Sequence, residues 1–147
     1  MQDRCQQTIT LADSLLAANP ELESKIRKAL LCNANDARRA LIEVIRFMAL
    51  AATNDRGQLT PAHRVDLAWH ELILFTRAYQ QLCENEFGKF LHHHPGGSAH
   101  DNRSQFERTL RLYEQSFGPP PIDFWGHDLT TSKHRAASCG TCESDGE

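Results

Sequence analysis

No run of apolar residues in this chain is long enough to cross a membrane. The longest wholly apolar stretch, residues 47–52, is six residues, against the roughly 20 that a spanning helix needs. Charge of one sign is also scarce. The formal net charge is -3, and the basic residues are scattered apart from the pair Arg38-Arg39. A phosphate backbone is bound by clustered Lys and Arg, so no nucleic-acid partner is expected. Strand patterning is nearly absent, with no sustained apolar/polar alternation enriched in β-branched residues. There is no phosphate-cradling glycine loop and no nucleophile elbow, which removes the P-loop and α/β-hydrolase chemistries. The polar start Met1-Gln2-Asp3-Arg4-Cys5 does not read as a secretory signal. A cytoplasmic location is therefore the default expectation. Five cysteines is an odd number at spacings unsuited to a disulfide framework, so free thiols or metal ligands are expected.

What remains is helical periodicity in 147 residues of globular composition, 40% hydrophobic and 24% charged. Such a length suits one domain with its own core. The pattern predicts an all-α, single-domain bundle of about five helices over residues 1–125, followed by a disordered tail over 126–147. The first helix is expected at 10–18. Asn19-Pro20-Glu21 reads as an N-cap, an N1 proline and a first-turn acid, opening a second helix. Asn35-Asp36 starts a third, with Leu41, Val44, Ile45 and Met48 at core spacing. Thr60-Pro61 opens a fourth, expected to run to about Phe87 and stop at Gly88. At about 1.5 Å per residue it would span on the order of 40 Å. A fifth helix is expected over 101–117, ended by Gly118 and three prolines, with Phe124-Trp125 as a docking pair.

The chemistry concentrates on the fourth helix and the loop after it. Val65, Trp69, Leu72, Tyr79 and Cys83 project onto one apolar face. On that face Cys83 is expected to be a buried structural thiol. Asp66 and His70 lie on another stripe, four residues apart and so neighbours. A carboxylate beside an imidazole fixes its tautomer or is itself a metal ligand. The plain alternative is that Asp66 only hydrogen-bonds His70 at the helix surface. His92, His93 and His94 follow in a loop held by Pro95, and imidazole suits zinc and other transition metals. Candidate metal ligands are thus Asp66, His70, His92 and His93. The difficulty is reach, because His70 lies about 27 Å of unbroken helix from Gly88. His70-Glu71 is not the start of a zincin motif, since the second histidine of that motif would fall on Leu74.

The motif Val65-Asp66-x-x-Trp69-His70, followed by Thr76-x-x-Tyr79-x-x-x-Cys83, Gly88 and His92-His93 before Pro95, resembles the glycine-rich domain-containing-protein-like family. Phe47-Met48-Ala49-Leu50 and Phe117-Gly118 also fit. The resemblance spans about 100 residues and implies an all-helical domain without a defined reaction. Members often end in a glycine- and cysteine-rich tail. Here the tail offers only Cys139-Gly140-Thr141-Cys142. Cys139 and Cys142 form half of a zinc site, with His134 as a candidate third ligand, or else an accessory thiol pair. Two functions compete. One is transition-metal binding, with zinc first among the candidates and an open-position metalloenzyme as its extension. The other is a protein-protein interaction module whose histidines are structural and hold no metal.

Overall fold

Helix α3 (Ala34–Thr53) is the centre of the fold, and its sequence explains why. Ala37, Ala40, Leu41, Val44, Ile45 and Met48 are all fully buried, so the helix is apolar around most of its circumference. A helix of that kind must be surrounded. It packs against α1 (Gln2–Ala18), α2 (Pro20–Leu30), α4 (His63–Leu74) and α6 (Ala99–Phe117). Its start is capped by the Asn33 side chain, which accepts from the Asp36 backbone N–H at 2.8 Å. The computed structural model describes residues 1–94 and 99–126. Every element among the described residues is helical, with no strand. No helix there is long and apolar enough to cross a membrane. The expected tail, with Cys139, Cys142 and His134, lies outside the described residues.

Several expected boundaries move. Helix α4 begins at His63 with Ala62 as its N-cap, not at Thr60-Pro61, and α3 begins at Ala34 under the Asn33 cap, not at Asn35-Asp36. Helix α1 begins at Gln2, not at residue 10. Its inner stripe in the first half is Cys5, Thr8 and Ile9, and Thr8 is buried while accepting from Arg46 Nε at 3.1 Å. A stripe this polar carries little hydrophobic periodicity. The long fourth helix is really three pieces. α4 ends at Phe75, whose ψ of 68° leaves the helical region. Helix α5 (Thr76–Leu82) restarts there, and a single π-helical turn follows over Cys83–Phe87. Gly88, at φ 71°, then takes the left-handed conformation that reverses the chain. With the short α7 (Ile122–Trp125), the described residues hold seven α-helices and one π turn where about five helices were expected.

The docking pair behaves as the sequence suggests. Phe124 and Trp125 are buried, and Trp125 packs on Phe106 and Tyr113. Its indole N–H donates to Glu43 at 2.8 Å, and the Tyr113 hydroxyl donates to the same oxygen at 2.6 Å. Arg46 donates to the other Glu43 oxygen at 3.2 Å. One buried carboxylate on α3 thus ties α6 and α7 to the core.

Candidate metal centre

The bend at Phe75 resolves the problem of reach. It lets α4 and α5 both turn their apolar sides inward, so that the Trp69 indole N–H donates to the Tyr79 hydroxyl at 3.1 Å. That hydroxyl donates in turn to the Leu91 carbonyl at 2.5 Å. Both rings are buried. Burial drives the Tyr79 phenol far above its ordinary range, keeping it a donor. A backbone hydrogen bond from Leu91 reaches Cys83 as well. Leu91 is therefore held on both sides, and the segment after Gly88 lies back across α4.

Exposure along residues 91–94 alternates: buried, exposed, half-buried, exposed. Alternation of this kind is what an extended chain imposes. It selects His93 and turns His92 away. His93 Nε2 lies 2.8 Å from Asp66 Oδ1, and His70 Nδ1 lies 3.5 Å from Asp66 Oδ2. The two imidazole rings are 4.3 Å apart between centroids. The edge of His93 also packs against Trp69 at 4.8 Å. One ligand atom from each of Asp66, His70 and His93 falls within 4.8 Å of the other two. His92 is exposed and instead packs on Phe90 at 4.7 Å, so of the four candidate ligands it alone stands outside this group. Cys83 is the expected buried thiol, pushed up by burial.

Asp66 is only 1% exposed. Removing a carboxylate from water is expensive unless charges or hydrogen-bond donors replace the lost hydration. Two imidazoles are among its partners. Burial is the largest influence on His70 and lowers its pKa, against the opposing pull of Asp66. A neutral ring at neutral pH has a lone pair to offer a metal. Spacings of 2.8 and 3.5 Å suit hydrogen bonds or two ligands of one ion equally. In a tetrahedral zinc site, ligands about 2.1 Å from the ion stand roughly 3.4 Å apart, so a pair as wide as 4.8 Å would close by about 1.4 Å on binding.

Two features were not singled out from the sequence. His63, at the start of α4, shares the stripe of Asp66 and His70. Its Nδ1 is buried without a hydrogen-bond partner. The spacing of 63, 66 and 70 on one helix was the available signal. The second feature is a cavity of about 520 Å³, open on one side, with Trp69 and His93 in its wall and bounded by α3, the segment before α4 and the start of α6. It is assembled from distant segments and leaves no local sequence signal.

Comparison with known proteins places the chain in a family. The chain belongs to the UCP032817-like family, whose model matches residues 12–116, more than two thirds of the chain and all three clustered residues. That match supports a family with no assigned role, and not the glycine-rich domain-containing-protein-like family that the motif resembles. No curated protein matches, and no solved structure matches.

Proposed function

We propose that this protein binds a divalent transition metal, with zinc the first candidate, through Asp66, His70 and His93. The observation that carries the reading is the convergence of two imidazoles from separate segments on one buried carboxylate. Three protein ligands leave at least one coordination position for water or another molecule, the arrangement of catalytic rather than structural zinc sites. The same two-histidine, one-carboxylate set also suits ferrous iron, so the donor chemistry narrows the metal without fixing it. A cytoplasmic setting belongs to this reading. Cys139 and Cys142 are accessory in it, and His92 is no ligand.

Elemental analysis of untagged protein, purified without chelator or nickel resin, tests the reading. About one metal equivalent per chain is expected, lost in a His70→Ala/His93→Ala double variant that still melts cooperatively. Protein free of metal that also takes up neither zinc nor ferrous iron on titration would instead support the interaction-module reading. One observation favours that second reading. Asp66 and His93 already form a good hydrogen bond, which fixes the loop with no ion at all.

A further inference from the structure

The cavity beside the clustered residues has a wall rich in hydrogen-bond donors that metal binding leaves unused. We infer that this cavity binds a small aromatic carboxylate, and that His93 links this binding to the metal site. The linkage rests on the metal reading above. At about 520 Å³ the cavity falls within the range of small-molecule sites. Its apolar wall includes Ala51, Leu59 and Phe90, with the buried rings of Phe47 and Trp69 behind them, and the exposed Phe90 ring suits the face or edge of a flat ligand. Its polar surface favours an anion. Lys89 contributes an ammonium, and His92 and His94 contribute imidazoles. The Gln105 carboxamide, whose oxygen accepts from Thr60 at 2.8 Å, adds NH₂ donors to the wall. Among the described residues of the wall Asp101 is the one acid, and it has interactions of its own. A planar carboxylate fits paired N–H donors better than a neutral ligand does.

The linkage follows from the position of His93. Its ring lines the cavity, while Nε2 faces Asp66 at 2.8 Å. A divalent ion on the group would fix that ring against Trp69. It would also add positive charge in excess of the single Asp66 carboxylate. Both effects favour an anion in the cavity, and by reciprocity the anion tightens the metal.

Calorimetric titration of benzoate into zinc-free and zinc-loaded protein tests this, with benzamide as the neutral isostere. Saturable benzoate binding is expected, at least about fivefold tighter with zinc and undetectable for benzamide at the same concentrations. Ala51→Phe, which fills the cavity from α3, should abolish the binding, and Lys89→Ala should weaken it. Melting curves confirm that both variants fold, and neither residue belongs to the metal group. No saturable benzoate binding with or without zinc overturns the inference, as does binding that survives Ala51→Phe. Equal benzoate affinity with and without bound zinc overturns the linkage. Failure of zinc itself to bind overturns the metal reading and the linkage, while benzoate titration of the zinc-free protein still decides the cavity.

Discussion

Replacing Tyr79 with phenylalanine removes one oxygen atom and should cost both stability and metal affinity. The ring stays, with its edge contact to Phe90 at 5.3 Å, so packing is nearly conserved. What goes is the bridge between the Trp69 indole N–H and the Leu91 carbonyl. Both groups are left in a buried setting, and each unsatisfied group costs about 1–3 kcal/mol. Partial relaxation brings the sum to about 2–4 kcal/mol for the pair. For a domain of this size about 1 kcal/mol lowers the Tm by roughly 3–6 °C, so a fall on the order of 10 °C is expected. The second consequence is specific to the site. With Leu91 released, the segment carrying His93 has lost a tether to α4 and α5, and zinc affinity should fall about 10–100-fold, as for other supporting hydrogen bonds around a metal. Zinc titration well below both melting transitions separates the two effects. A Tyr79→Phe protein that melts within about 2 °C of the parent would refute the estimate of buried unsatisfied groups. One that melts lower but binds zinc as tightly would refute the claim that this hydroxyl positions His93.

Trp69→Ala should destabilise the protein by about 3–5 kcal/mol, the usual cost of truncating a buried aromatic. Denaturant unfolding measures it, and an unchanged midpoint would contradict the 6% exposure of this ring. Glu43 should impose a pH dependence of unusual sign. Burial raises it above its ordinary 4.5, outweighing the bonds from Tyr113, Trp125 and Arg46. A raised acid favours the protonated form in the folded chain. Its contribution is therefore complete below about pH 4.5 and is lost as pH rises through the raised value. Glu43→Gln removes this titration, so the Tm of the variant relative to the parent should climb as pH rises above about 4.5, and a difference that stays constant with pH would count against the assignment. Deleting residues 138–147, which removes Cys139 and Cys142, should leave melting and bound metal unchanged, and loss of the metal would move the main site to the tail.

The bundle was legible where burial is apolar and obscure where it is polar. Leu41, Val44, Ile45 and Met48 announce α3 by spacing alone, and Pro20 opens α2 where an N1 proline should. The first turns of α1 were missed because their inward residues are Cys5 and Thr8. Thr8 earns its buried place through Arg46, a partner 38 residues away that no local window includes. The break at Phe75 was missed for a related reason. Residues 60–87 contain no proline or glycine past Pro61 to interrupt them, and the gain from bending is the bond between Trp69 and Tyr79. Helical periodicity reports which residues face inward but says nothing of a hydrogen bond that only a kink can close.

The site was legible as a list of residue types and illegible as a distance. Asp66 and His70 at i, i+4 needed only helix geometry. Bringing a loop histidine onto them across about 27 Å of nominal helix required the bend, the π turn and the left-handed Gly88 together. Once the loop lies back and runs extended, geometry chooses between neighbours. Side chains on an extended chain alternate, so of two adjacent histidines only one can face α4. Leu91 is anchored inward by Tyr79 and Cys83, which sets the phase. His93, two residues on, shares that phase, and His92 does not. The same alternation puts His92 and His94 on the side away from Asp66, although the cavity wall takes in all four residues 91–94. The three consecutive histidines are therefore not one ligand set. His93 serves the buried carboxylate, and its neighbours line the cavity that His93 shares with them.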